Sequence, residues 1–161
     1  MPVTASGPIS IPVDRLRNII KDSASFRTWT GTATAVLAKA RAYPFAKPRS
    51  GVVWPHVVVG YLHRGWSTSI PMREYVREVN LFASFEAILL AADDQDATYT
   101  FMNAIGPVIT DMWINAGDGT EDRLDVQEIS LIDGPMWENE DLRAGEGEVM
   151  WCRFMIRAGT P

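Results

Sequence analysis

Few residues of this chain combine the type and the spacing that a reactive site needs. Its two histidines, His56 and His63, are seven positions apart, so they would lie on opposite faces of a continuous strand. The single cysteine, Cys152, cannot complete a zinc site alone. We therefore predict no metal, no cofactor and a purely structural role for His56.

Three short segments come near to known functional motifs, but each lacks a required residue. A calcium loop that starts at Asp94 would have Tyr99 and Ile105 where glycine and glutamate are needed. Residues 145–150 lack the third glycine of a dinucleotide-binding fingerprint, and residues 65–69 lack the closing glycine of a nucleophile elbow. We therefore predict that the protein is not an enzyme.

The composition is that of a single folded domain. Apolar residues make up 47% of the 161 positions, and a chain of this size buries roughly two thirds of its unfolded surface. No apolar run approaches the roughly 20 residues that span a bilayer, residues 1–7 lack the features of a signal peptide, and a single cysteine fits a reducing compartment. We predict an N-terminal arm at residues 1–12 and one α/β domain at residues 13–161, which folds in the cytoplasm and has no membrane partner.

Charge is distributed unevenly along the chain, which has a net charge of −5. Residues 1–77 hold eleven Lys or Arg against three Asp or Glu, whereas residues 78–161 hold four against seventeen. The two halves could neutralise each other within one fold. Alternatively, the basic half of one subunit meets the acidic half of the next, a head-to-tail contact that can close into a ring.

The chain is organised around residues 51–86, which we predict to form a β-hairpin. Residues 52–66 are rich in β-branched and aromatic side chains, as strands are. Apolar and polar residues alternate over residues 75–86, which favours a strand with one buried face, although the spacing of some apolar residues leaves a helix open. The two strands would join at Ser67–Pro71, and other elements must cover them because a lone hairpin is unstable in water.

The residues before the hairpin predict three short helices. Apolar residues recur at helical spacing from Val13 to Ile20. Asp22-Ser23 can cap a second helix that carries Phe26 and Trp29. A third helix is predicted at residues 33–40, followed by an extended piece at residues 42–45.

The longest helix is predicted after the hairpin, where it would cover the sheet. Residues 93–96 form an acidic cluster typical of a helix start. Behind them one apolar stripe consists of Phe101, Ile105, Val108, Ile109 and Met112. Gly106-Pro107 should kink the helix or break a turn, and Asn115 begins the segment that ends it.

Two more strands close the predicted fold. They cover residues 124–132 and 148–157, with a turn at Gly134-Pro135 and an acidic loop between them. Because residues 148–157 are apolar on both faces, they indicate an interior strand or an edge strand covered by a partner. The fold class is thus α/β (α+β): a small, mostly antiparallel sheet with a hairpin, covered by the N-terminal helices and one longer helix.

The tryptophans and charges provide candidates for a subunit interface. We expect Trp29 and Trp113 in the core, whereas Trp66 and Trp137 lie in loop-like segments, where interface burial and local packing are both open. The carboxylates at 138–141 favour a solvated loop. The candidate interface residues are Arg64, Trp66, Arg73, Arg77, Asp122, Trp137, Glu138 and Asp141.

The order of these features resembles the tail terminator (tail-completion) proteins of long-tailed bacteriophages. The resemblance rests on a leading helix and on Phe26-x-x-Trp29-x-Gly31, Ala42-Tyr43-Pro44 and Trp54-Pro55-His56-Val57-Val58-Val59-Gly60. It continues through the alternating strand, the long helix and the closing strands, and covers most of residues 16–157. The long N-terminal arm and the acidic segment 118–148 depart from the family pattern.

The resemblance implies a structural protein of the virion. Its subunits would form a six-fold ring that caps the tail tube, contacts the major tail tube protein and docks the head connector or stopper, while DNA passes through without sequence-specific binding. The protein would reach the virion neck after assembly in the host cytoplasm. Alternatives are a head-closure (stopper) or minor tail protein, or, in a different class, a small cytoplasmic ligand-binding domain.

Overall fold

The computed structural model describes residues 3–63, 65, 77–89, 94–117, 122–138 and 148–160. In chain order its elements are α1 (Ser10–Lys21), α2 (Ala24–Thr30), α3 (Ala35–Ala40), β1 (Ala42–Pro44), β2 (His56–Tyr61), β3 (Arg77–Leu89), α4 (Asp94–Asn115), β4 (Asp125–Glu138) and β5 (Glu148–Thr160). No helix in these ranges is long and apolar enough to cross a bilayer.

The five strands form one mixed sheet in the order β1-β2-β3-β5-β4. Only the pairing of β1 with β2 is parallel, and the other three pairings are antiparallel. The predicted fold class, a mostly antiparallel sheet against helices, is therefore confirmed. β5 lies between β3 and β4, so it is an interior strand, the first of the two predicted alternatives.

The hairpin strands pair as predicted, from His56 opposite Glu86 to Tyr61 opposite Leu81. This register confirms the strand interpretation of β3 over the helix. β2 is shorter than the predicted strand, because residues 52–55 precede it without strand geometry. The predicted connection at 67–71 lies outside the described residues.

The N-terminal helices are held by caps and by contacts to α4, several of them to Asp111. α1 begins at Ser10, three residues before the predicted start, so residues 10–12 at the end of the predicted arm are helical. Ser23 caps α2, as predicted: its Oγ accepts from Phe26 N at 3.0 Å. Ser23 Oγ also donates to Asp111 Oδ2 at 2.7 Å, which ties α2 to α4.

The apolar stripe of α4 is buried, with two corrections. Phe101, Ile105, Val108 and Met112 are at most 2% exposed, but Ile109 is only partly buried. Trp113, predicted in the core, is 53% exposed, because it follows Met112 by one residue and so lies about 100° around the helix from the stripe. α4 is continuous through Pro107, so of the two predicted outcomes, a kink or a broken turn, the broken turn is not found.

β4 corrects the predicted turn at Gly134-Pro135. The strand runs through these residues to Glu138, so Trp137 and Glu138 lie in a strand and not in a loop. Its pairing with β5 shifts register three times, twice around Asp133. An edge strand tolerates a proline and such irregularities, since its outer side needs no ladder hydrogen bonds.

An aromatic cluster occupies the centre of the core between sheet and helices. Trp29 of α2 packs edge-on to Phe85 of β3 and Phe101 of α4, with ring centroids 5.9 Å and 6.2 Å away. Phe85 also contacts Phe26 and Phe154. Trp29 lies beside Phe26, as expected, but it is only partly buried against the core.

Candidate functional site

The described helices lie against only one face of the sheet. Alternate residues of β3, from Val79 to Ala87, join the helices in the core. The intervening residues point to the opposite face, together with their register partners on β2 and β5. We call this the outer face and define it by Val58, Phe82, Ser84, Glu86, Trp151 and Arg153, which line a cavity of about 420 Å³ with Phe45, Lys47 and Glu138.

A buried carboxylate lies at the β2 side of the outer face. Glu86 is 6% exposed and its register partner, His56, is fully buried. Glu86 Oε2 lies 3.2 Å from His56 Nε2, and Glu86 Oε1 accepts a hydrogen bond from Lys47 Nζ at 3.0 Å. His56 Nδ1 lies 3.0 Å from the carbonyl oxygen of Val53, and its ring packs on Trp54 at 4.5 Å. His56 is thus a satisfied buried residue, as predicted.

These contacts keep Glu86 ionised. Burial alone would raise the pKa of Glu86, but the hydrogen bonds to His56 and Lys47 and the positive charge of Lys47 outweigh burial and hold that pKa below its usual value. Because both carboxylate oxygens are engaged, Glu86 fixes the segment that carries Lys47 to the sheet.

At pH 7, Glu86→Gln is expected to lower the free energy of unfolding by roughly 1–3 kcal/mol, since charge-assisted hydrogen bonds contribute about that much. A carboxyl group whose pKa is lowered by folding stabilises above its unfolded pKa, and this contribution is lost as pH falls through the folded value. The gap between wild type and variant should therefore narrow below about pH 4. Urea unfolding at several pH values measures it.

Glu138→Gln is the matched control, because Glu138 is exposed. Its free energy of unfolding should stay close to that of the wild type at every pH. If the difference in the free energy of unfolding between wild type and Glu86→Gln stayed constant from pH 7 to pH 3, the ionised form of Glu86 would not be the form that stabilises the fold.

An arginine stacked on aromatic rings lies at the centre of the outer face. The Arg153 guanidinium carbon is 4.8 Å from the ring centroid of Phe82 and 5.7 Å from that of Trp151. The register neighbours of Arg153 are Ser84 on β3 and Asp133 on β4. Such stacking holds a guanidinium in one orientation and leaves its edge donors available.

The described residues contain neither a reactive thiol nor a cluster of metal-ligating side chains. Cys152 is buried, which raises the pKa of its thiol to about 12 and leaves little thiolate near neutral pH. Within the described ranges no three His, Cys, Asp or Glu side chains gather as a metal site would require. That the protein is not an enzyme stays a prediction.

Two of the candidate interface residues lie near the same end of β4. Trp137 is partly buried against the core and lines a second cavity, of about 480 Å³, with Tyr99 and Met102 of α4. Glu138 ends β4, is exposed, and lines the outer-face cavity. Trp137 and Glu138 are adjacent in β4, so their side chains lie on opposite faces of the sheet.

The other candidates are spread over the molecule or lie outside the described ranges. Asp122 is exposed before the start of β4, where its carbonyl oxygen accepts from Asn18 Nδ2 at 3.4 Å. Arg77 begins β3 in register with Thr160. Candidates at positions outside the described residues are Arg64, Trp66, Arg73 and Asp141.

Sequence reasoning missed the residues that gather on the outer face. The alternation in β3 placed Ser84 and Glu86 on its polar side, but gave no sign that Phe82, Trp151 and Arg153 lie beside them. One signal was available: Trp151, Arg153 and Met155 alternate with buried residues in β5, so an arginine stands between bulky apolar neighbours on one face.

Comparison with known proteins supplies no family for this chain. It matches no protein-family model and no curated protein.

Proposed function

We propose that this protein is a structural component of a phage-like virion, a tail terminator whose subunits form a six-fold ring on the tail tube. The observation that carries the proposal is the outer face, where Phe82, Trp151 and Arg153 lie on a sheet that the described helices cover only from the other side. Trp and Arg are the residues most enriched among those that dominate binding energy at interfaces.

A sheet face with aromatic side chains that the described helices leave uncovered is a natural element for assembly. Large exposed patches of apolar and aromatic side chains are rare on monomeric proteins and usually mark interaction sites. The α+β fold and the order of the elements also agree with what the sequence resemblance implies. The ring would stop growth of the tube and offer a docking face to the head connector, with DNA passing through its centre.

The charge distribution supports head-to-tail contacts between subunits. Some opposite charges pair within one chain, as Lys47 of the basic half does with Glu86 of the acidic half. Exposed carboxylates such as Asp122, Glu138 and Glu148 can meet basic residues of the next subunit. Exposed pairs contribute only about 0–1 kcal/mol each, so several of them, together with buried aromatic residues, would fix ring register.

The outer-face cavity favours one second candidate, a small ligand-binding domain. Its volume of about 420 Å³ lies within the range of roughly 300–1,000 Å³ found for small-molecule sites. A head-closure or minor tail protein is a further variant of the structural role, in which the ring has different neighbours.

Native mass spectrometry of the full chain tests the proposal. The expected species has about six times the mass of one 17.9 kDa chain, and negative-stain images should show rings. Raising the ionic strength to about 1 M shortens the screening length to about 3 Å, so it should weaken the assembly if charge pairs set its register.

A different result separates the alternatives. A chain that stays monomeric at high concentration and at low salt, and whose melting temperature rises with a small molecule, would favour the ligand-binding domain. A monomer that joins purified tail tubes without forming a ring would favour another minor tail protein.

A further inference from the structure

His56 faces a hydrogen-bond acceptor at each of its two ring nitrogens. Nδ1 lies 3.0 Å from the carbonyl oxygen of Val53, and a carbonyl oxygen can only accept. Nε2 lies 3.2 Å from Glu86 Oε2, and an ionised carboxylate can also only accept. A neutral imidazole has one N–H, so one of its nitrogens would direct a lone pair at an oxygen atom. The doubly protonated ring donates to both oxygens.

A proton on Glu86 in place of the ring would also satisfy this geometry, but the surroundings favour the ionised carboxylate. Lys47 Nζ donates to the other oxygen of Glu86 at 3.0 Å, and the pKa of Glu86 lies below its usual value. His56 is fully buried, with its ring 5.1 Å from that of Tyr43 and 4.5 Å from that of Trp54. Buried polar atoms in proteins almost always have a hydrogen-bond partner, so both ring nitrogens should donate.

Two further cations lie in the same region and act against a positive charge on the ring. Arg41 Nη1 donates to the carbonyl oxygens of residues 54 and 55, at 3.0 Å and 3.1 Å. Arg153 lines the same cavity as Glu86. Glu86 acts in the opposite sense from direct hydrogen-bond distance. Because the interaction of two charges falls with their separation, this direct contact outweighs the more distant cations.

We infer that doubly protonated His56 fastens residues 46–55 to β3, and that opening of this segment releases the ring proton, so that rising pH favours the open form. Residues 46–55 have neither helix nor strand geometry. The fastening consists of Val53 O on His56 and Lys47 on Glu86. Since Ala46 and Lys47 line the outer-face cavity, the proton on His56 controls one wall of that cavity. The inference concerns a single chain and does not depend on the proposed ring.

Nitrogen NMR on the full chain tests the protonation of the ring. In the His63→Gln variant only His56 gives histidine signals, and the exposed position of His63 makes the change a mild one. A histidine in an unfolded chain has a pKa of about 6.5, so it is mostly neutral at about pH 7.5. Both ring nitrogens of His56 should be protonated in the folded chain at this pH. One unprotonated ring nitrogen would overturn the inference.

Limited proteolysis tests the fastening of the segment. Arg49 is exposed within residues 46–55, so trypsin can cut there once the segment opens. A free peptide of residues 46–55 gives the cleavage rate of the open form at each pH. The ratio of the rate in the folded chain to the rate in the peptide then reports the open fraction. Because opening releases one proton, this ratio should rise by up to about tenfold between about pH 7 and pH 8.

His56→Gln is the matched variant, because its amide can donate to Glu86 but has no proton to release in this range. Its cleavage ratio should exceed that of the wild type at pH 7 and should stay constant up to pH 8. A wild-type ratio that does not change over this interval, or a His56→Gln ratio that rises as steeply as that of the wild type, overturns the fastening. If His56→Gln does not fold, the wild-type ratio and the ring nitrogens decide.

Discussion

Replacing Phe85 by alanine is expected to lower the free energy of unfolding by roughly 3–5 kcal/mol, the usual cost of removing a buried phenylalanine. Phe85 is fully buried in β3 and its ring meets those of Phe26, Trp29 and Phe154 within 6.5 Å. Phe26 and Trp29 belong to α2 and Phe154 belongs to β5, so the cavity left behind would lie between α2 and the sheet. Urea denaturation followed by tryptophan fluorescence measures the change.

Tyr99→Ala provides the control for removal of an aromatic ring. Tyr99 is 70% exposed on α4, and substitutions at exposed positions usually change stability by no more than about 0.5 kcal/mol. A loss of less than about 1 kcal/mol for Phe85→Ala would contradict this expectation. It would mean that the surrounding rings move in to fill the cavity, whereas a rigid core leaves the cavity open and loses more stability.

The order and type of the elements could be predicted because periodicity is a local property. In β3 the alternation from Val79 to Phe85 predicted a strand with one buried face, and the structure places that face against the helices. In α4 the three- and four-residue spacing of the stripe predicted its buried side. Both patterns follow from how a backbone of one type presents its side chains, which needs no knowledge of the rest of the chain.

The errors arose where a local signal has two structural uses. Glycine followed by proline is typical of a turn, yet in β4 Gly134-Pro135 lies within a strand whose pairing shifts register. Trp113 seemed to extend the α4 stripe only because it follows Met112 in sequence. The local sequence alone does not show whether the chain reverses direction or forms a bulge, because that depends on the strand with which the segment pairs.

The outer-face cavity could not be predicted, because strand register creates it. Glu86 meets Trp151, and Ser84 meets Arg153, only because β3 and β5 pair over thirteen positions, although residues 90–147 lie between the two strands in the sequence. A shift by one residue would send Arg153 into the core. The cluster of Phe82, Trp151 and Arg153 is thus a property of the paired sheet and not of any one segment.

Gly134 shows what the misread segment of β4 contributes to stability. Its φ of +82° lies in the region that side chains rarely adopt, and a Cβ atom there would come 2.6 Å from Trp151 O and 2.9 Å from Cys152 Cα. Both atoms belong to the backbone of β5, which the neighbouring strands hold on either side. Neither can move without disturbing the centre of the sheet, so the close approach of β4 to β5 requires glycine at this position.

Gly134→Ala is therefore expected to destabilise the fold by roughly 2–5 kcal/mol, the sum of a positive-φ cost of about 1–2 and an overpacking cost of about 1–3. Gly31→Ala separates the two contributions, because Gly31 has a similar φ of +67° but no atom within 4 Å of the added Cβ. It should cost only the conformational part, about 1 kcal/mol. Urea unfolding of both variants gives the comparison. Equal losses would mean that β4 moves away from β5 at little cost, and that the bulged segment is not tightly packed against the sheet.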